Sequence, residues 1–165
     1  MKVLVVYYSL DGNTEYIAKR VARTSGGDIQ RLELQKEPPS NKLGRFMWCG
    51  WHAMLGAKPS LKELTRDPGE YDMVFVGSPV WAYTVAPPVA SFLENTDLTD
   101  KKVALFATCN GNEGSTFEKM RSANNGGQVL GHCSFMKVLK ETPMRKAAEA
   151  VKWTKHIVDT YDKEN

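Results

Sequence analysis

The sequence predicts an α/β fold, a single domain over residues 1–165 built on a five-stranded parallel sheet in the order 2-1-3-4-5, doubly wound with helices on both faces. Three observations predict it. The run at residues 3–8 is apolar at every position, as a strand covered on both faces must be. Strand-like runs then alternate with stretches of helical periodicity along the chain, and right-handed crossovers leave few arrangements other than a parallel sheet. Three of the strand-like runs also end in loops rich in Gly, Asn, Ser and Pro, which such a sheet gathers at the carboxyl ends of its strands.

Residues 3–8 form the first strand, and Thr14, Ile17, Ala18, Val21 and Ala22 recur at helical spacing until Gly26-Gly27 stop the helix. Residues 29–34 alternate in character and read as an edge strand. The stretch 36–68 opens with Pro38-Pro39 and carries Met47, Trp48, Trp51, Met54 and Leu55, expected on one face of a helix that covers the sheet. Residues 72–78 supply the third strand, followed by a loop ending in Pro87-Pro88, which suit the first turn of a helix with Val89, Phe92 and Leu93. A fourth strand at 102–108 leads through a Gly- and Asn-rich loop to a short helix with Phe117 and Met120. The fifth, at 128–135, contains Gly131, and the last helix is expected to bury Ala147, Ala148, Val151, Thr154 and Val158.

Composition narrows the function. With 42% apolar and 25% charged residues the chain matches an ordinary globular protein, and no apolar stretch approaches the ~20 residues that cross a bilayer. Lys2 precedes a run too short for a signal sequence, and three widely spaced cysteines argue for a reducing compartment. A cytoplasmic location with no membrane partner is expected. The net charge of +3 lacks the concentrated stripe of a nucleic-acid binder. It is uneven, however, because residues 36–66 hold Lys36, Lys42, Arg45, Lys58, Lys62 and Arg66 against Glu37 and Glu63. An acidic partner would meet that segment.

The first loop, Ser9-Leu10-Asp11-Gly12-Asn13-Thr14, places hydroxyls and backbone N–H groups at the positive end of a helix, which is a phosphate site. It contains no Lys or Arg, so it fits one modest phosphate held by neutral donors rather than a triphosphate. The second loop, Pro79-Val80-Trp81-Ala82-Tyr83, offers two aromatic rings. The third, Thr108-Cys109-Asn110-Gly111-Asn112-Glu113-Gly114, offers backbone able to approach a flat ring closely. Together they suit a mononucleotide with a large planar head. Other chemistries are less well served. Cys49 with His52 and His132 with Cys133 lack paired zinc spacing, Cys109 has no Arg near it in sequence to make a phosphatase loop, and Asp11 stands alone where a receiver domain clusters acids.

These motifs resemble those of the flavodoxin family, of the short-chain type. The likeness lies in Tyr8 to Thr14, in Gly77-Ser78-Pro79-Val80-Trp81-Ala82 followed by Ala86-Pro87-Pro88-Val89, and in the stretch 105–114. The resemblance implies noncovalent FMN on a flavodoxin-like fold. Its phosphate would sit on side chains of Ser9, Asn13 and Thr14 and backbone N–H groups of Leu10, Asp11 and Gly12. Its ring would lie between Pro79, Val80, Trp81, Ala82 and Tyr83 on one side and Thr108, Cys109, Asn110, Gly111, Asn112 and Gly114 on the other. It further implies an electron carrier between redox partner proteins that dock near the flavin edge or on the basic segment 36–66, or, alternatively, an NAD(P)H-dependent FMN or quinone reductase. Three departures are visible. The chain is basic where such proteins are commonly acidic, the third loop has no aromatic, and Tyr83 stands where relatives often have Gly. With a Cβ on both Ala82 and Tyr83, a backbone flip toward the flavin is expected to be less free.

Overall fold

The computed structural model describes residues 1–36, 38–141 and 143–164; within the helices, the side chains at 42, 45, 46, 53, 54 and 164 fall outside the described set. Strand β1 (Val3–Tyr7) is wholly buried, paired in parallel with the edge strand β2 (Asp28–Arg31) on one side and with β3 (Met73–Trp81), the central strand, on the other. Beyond β3 lie β5 (Lys102–Cys109) and β6 (Gln128–Met136), both parallel. A two-residue strand, β4 (Thr84–Val85), folds back antiparallel onto the end of β3. The order β2-β1-β3-β5-β6 is the expected 2-1-3-4-5 once β4 is set aside. The switch in direction falls between β1 and β3, so ligand-binding loops converge there.

Alternation along β1 divides the core. Val3, Val5 and Tyr7 face helices α1 (Asn13–Ser25) and α5 (Pro143–Glu164), while Leu4, Val6 and Tyr8 face α3 (Pro87–Asn95) and α4 (Thr116–Ala123). Gly77 and Phe106 are register partners on β3 and β5, and the Phe106 ring lies where a Cβ on Gly77 would be. The fifth parallel strand contains a bulge: Val103 pairs with Val129 but Ala104 with Gly131, which leaves Leu130 as the extra residue.

Three sequence expectations need correction. Regular pairing of β2 stops at Arg31, earlier than 34, because its neighbour β1 turns off into the first loop; Leu34 instead makes an isolated bridge to Leu61. In α5 the inward row is Ala150, Thr154 and Ile157, with Trp153 beside it, while Ala148 is exposed. Large rings decide that face, since Trp153 makes T-shaped contacts with Phe75, Phe106 and Phe135 at centroid distances of 5.6, 6.2 and 6.2 Å.

The third correction concerns α2 (Lys42–Met54), whose start is capped by Asn41 Oδ1 accepting from Gly44 N–H at 2.6 Å. Met47, Trp51 and Leu55 do not cover the sheet. With Leu43 they form an outward row at four-residue spacing, Trp51 being 64% exposed. The inward face is the adjacent one, with Cys49 buried, Trp48 half-buried and the His52 ring stacked on Trp48 at 3.9 Å. Met54, expected on the covered face, is among the side chains outside the described set. Among the described residues no helix is long and apolar enough to cross a membrane.

Candidate functional site

A cleft of about 360 Å³ opens at the carboxyl ends of β1, β3 and β5, within the ~300–1,000 Å³ of small-molecule sites. All three predicted loops contribute walls: Leu10, Asp11 and Asn13 from the first, Pro79, Val80, Trp81 and Ala82 from the second, and Thr108, Cys109 and Asn110 from the third. Cys49 and Gly50 of α2 complete it. The remaining predicted residues, Ser9, Gly12, Thr14, Tyr83, Gly111, Asn112 and Gly114, stand behind or beside these walls.

The first loop turns on Gly12, whose φ of 88° places it in the left-handed region just before α1. Glycine takes that conformation without a Cβ penalty, and it leaves the first N–H groups of α1 facing outward. Two donors of the turn are engaged by its own side chains: Gly12 N–H bonds Ser9 Oγ at 3.2 Å and Asn13 N–H bonds Asp11 Oδ1 at 3.2 Å. Thr14 is fully buried and shares a 2.8 Å hydrogen bond with Thr108 Oγ1, which ties the first loop to the third strand end. Thr14 is therefore a brace rather than a wall.

A fourth loop, after β6, was not anticipated. Leu139 N–H donates to Asn13 Oδ1 at 3.0 Å and Lys137 N–H donates to the Cys109 carbonyl at 2.8 Å, so this loop seats both the first and the third. With Oδ1 accepting from Leu139, the amide NH₂ is the donor that the Asn13 side chain has to offer. The sequence signal for this loop is weak, because Leu139 and its neighbours carry no turn or ligand motif.

The second loop is a hairpin rather than an open loop. Trp81 pairs with Thr84 across a two-residue connection, and both connecting residues, Ala82 and Tyr83, have positive φ, 47° and 61°. A hairpin of this length requires that, but non-glycine residues adopt it at a cost of about 1–2 kcal/mol each. Tertiary contacts hold it: the Tyr83 carbonyl accepts from Ser115 N–H at 2.9 Å and from Ser115 Oγ at 3.3 Å. Tyr83 itself is 67% exposed, so its ring contributes little packing. Tyr83→Gly should consequently stabilise the fold by roughly 0.5–1 kcal/mol in urea unfolding, the relief of strain exceeding the added chain entropy. A destabilised variant would show that the strain is absent.

Trp81 is the structural pivot of the cleft. Its ring meets Tyr8 edge-on at 5.6 Å and Trp48 at 6.4 Å, so a strand end, the hairpin and α2 all converge on it. Gly50 has no atom within 4 Å of where a Cβ would stand, which keeps that part of α2 open beside the cleft. The apolar pattern of α2 resembled a core helix, and only its placement shows two of its small residues as walls.

Electrostatically the cleft is nearly neutral. Among the described walls, Asp11 is the only ionisable residue apart from the two thiols. Burial, reinforced by the carboxylate of Glu113, raises the Cys109 thiol above its ordinary range, so it presents a neutral, protonated surface near pH 7. Among the described residues no three His, Cys, Asp or Glu side chains gather as a metal ion would require.

A family model described as flavodoxin matches residues 52–153, well over half the chain. No curated protein sequence matches. Among solved structures, a protein of Bacteroides eggerthii provisionally described as a flavoprotein is 24% identical with a TM-score of 0.75, covering 95% of this chain and 98% of its own. A flavoprotein in complex with FMN from Lactobacillus acidophilus is 22% identical with a TM-score of 0.67, covering 81% and 92%. Oxidised flavodoxin 2 from Bacillus cereus is 20% identical with a TM-score of 0.58, covering 96% and 99%. At these identities the likeness to the solved structures is one of fold.

Proposed function

The chain belongs to the flavodoxin family, whose cofactor is FMN, and from that premise we propose that it is an FMN-dependent electron carrier between redox proteins. The observation that carries this reading is the cleft at the switch point, with walls from all three loops and no basic side chain among the described walls. The residues present fit FMN. Gly12 at positive φ and the first turn of α1 offer neutral donors suited to one phosphate, and Asn13 adds its amide NH₂. Trp81, braced by Tyr8 and Trp48, offers a flat apolar wall to a ring system, with Pro79, Val80 and Ala82 beside it and Thr108 to Asn110 opposite in the sequence of loops.

FMN bound there would supply reversible one- and two-electron chemistry. The protein's own part is to bind, orient and shield. Cys49 and Gly50 close the cleft from α2, the Thr14–Thr108 bond keeps two walls in register, and the protonated Cys109 adds no charge beside the ring. A redox partner would meet α2 and the hairpin tip, where Leu43, Met47, Trp51, Leu55 and Tyr83 are exposed beside the cleft. The basic segment is a weaker attraction than its composition implied. Lys58 pairs with Glu94 at 2.7 Å, Lys62 with Glu33 at 2.9 Å and Arg66 with Asp28 at 3.3 Å.

The first test is the visible absorption spectrum during FMN titration; a chain that neither copurifies with FMN nor binds it overturns the reading. Steady-state turnover with NADPH or NADH and a quinone separates carrier from reductase. Rapid turnover without a partner reductase would replace the carrier by the reductase. The same titration checks Asp11, the carboxylate that accepts from Asn13 N–H on the phosphate turn. Asp11→Asn should tighten FMN by roughly three- to tenfold, because a like charge beside the phosphate is removed near the surface. Weaker binding would instead make Asp11 a required brace.

A further inference from the structure

We propose that Arg31 is the positioning residue of the phosphate turn: from the neighbouring strand its guanidinium clasps both ends of the turn and supplies the cation that the turn itself lacks. The inference rests on the FMN reading above and concerns how the phosphate end is recognised. Arg31 is the last residue of β2 and the register partner of Tyr7, so it stands beside the point where β1 leaves the sheet. Leu32 N–H continues that ladder by donating to the Tyr7 carbonyl at 2.7 Å, which anchors the Arg31 backbone from its far side.

The side chain then divides its fork. Nη2 donates to the Ser9 carbonyl at 2.8 Å, at the entrance of the turn, and Nη1 lies 3.5 Å from Glu15 Oε2, in the first turn of α1 at its exit. Ser9 lies beyond the end of β1 and is almost fully buried, so its carbonyl needs a donor from outside the ladder. A guanidinium suits the task because its planar fork bonds two acceptors in fixed relation, which an ammonium does not. Holding Ser9 fixes its Oγ, which in turn accepts from Gly12 N–H. Between the two clasped points lie Leu10, Asp11 and Thr14, whose N–H groups are not the ones bonded by the Ser9 and Asp11 side chains and would meet a phosphate.

Charge follows the same geometry. Lys19 bonds the other Glu15 oxygen at 2.5 Å, so Glu15 is shared by two cations, and Arg31 and Lys19 together offset the two carboxylates at the turn, Glu15 and Asp11. Without Arg31 the turn and its neighbours would be net negative, and the cation that prevents this comes from a residue that sequence spacing separates from the motif.

The test compares FMN with riboflavin, which lacks only the phosphate, by titrating each into the full chain and its variants. Arg31→Met should weaken FMN by about tenfold and riboflavin by less than about twofold, the loss expected when a charge-assisted pair is removed. Arg31→Lys, which keeps the charge but not the fork, should fall between the parent and Arg31→Met for FMN and leave riboflavin unchanged. Equal losses for both flavins in Arg31→Met would make the residue merely structural and overturn the proposal. So would FMN binding by Arg31→Lys indistinguishable from the parent, which would leave charge alone and no clasp. Should Arg31→Met fail to show the parent's cooperative melting, Arg31→Lys decides by the same criteria. A parent chain that binds neither flavin overturns the FMN reading itself, and this inference with it.

Discussion

Phe106→Ala should lower the unfolding free energy by about 3–5 kcal/mol, measured by urea denaturation with tryptophan fluorescence. Phe106 is fully buried on β5, its ring fills the space above Gly77 on β3, and it makes a T-shaped contact with Trp153 of α5. Removing it leaves a void between the two strands whose ends carry the second and third loops. The surroundings can collapse only in part, because the sheet register and the Trp153 contacts to Phe75 and Phe135 remain. A loss below about 1 kcal/mol would mean that the two strands are not interlocked by this pair. Gly77→Ala offers the complementary measurement, since its new methyl would overlap the same ring.

Gly114→Ala should weaken FMN binding by at least about tenfold while leaving most of the stability intact, the cost of a backbone shift being of order 1–3 kcal/mol. Gly114 has a φ of 54°, and a Cβ there would overlap the Tyr83 carbonyl oxygen and crowd the Tyr83 Cβ. Those are atoms of the strained hairpin, so the clash cannot be relieved by rotating a side chain. The nearest way out moves the third loop from the hairpin and breaks the Ser115 N–H bond to Tyr83, which parts two walls of the cleft. Gly111→Ala is the control. It lies in the same loop, its Cβ would meet nothing within 4 Å, and its FMN affinity should match the parent. Equal affinities for all three chains would show that the hairpin and the third loop bind independently.

Both expectations depend on contacts between elements distant in sequence, and that marks the boundary of what could be read beforehand. The first loop was legible because its information is local: a wholly apolar strand, a glycine able to take positive φ, and a helix with a clear apolar row all lie within the stretch 3–22. The convergence of three loops was legible because chain handedness restricts the order of a parallel sheet. Tyr83 was noticed as a residue with a Cβ where freedom would be useful, but its hairpin conformation is imposed by Ser115 and Gly114, some thirty residues on.

Other features were hidden for the same reason. Met47 and Trp51 share an apolar helix with Trp48 and Cys49, and periodicity alone cannot say which of two adjacent rows faces inward when both are apolar. Trp153 lies outside the apolar row that the spacing of the last helix predicts, and its place is set by contacts with three phenylalanines of the sheet. The absence of Lys or Arg from the first turn was a true observation about the motif, yet the cation beside it arrives from β2.

The sequence by itself determined the fold class, the strand order and the three loops of the cleft, because apolar periodicity and handedness act over one element or one crossover at a time. The tertiary structure alone decided which face of α2 closes the cleft, that Ala82 and Tyr83 are held in a strained turn, and that Arg31 reaches both ends of the first loop. Each of these is set by atoms that come together only after the sheet has formed, where packing and hydrogen bonding between distant segments outweigh the local preferences that a sequence displays.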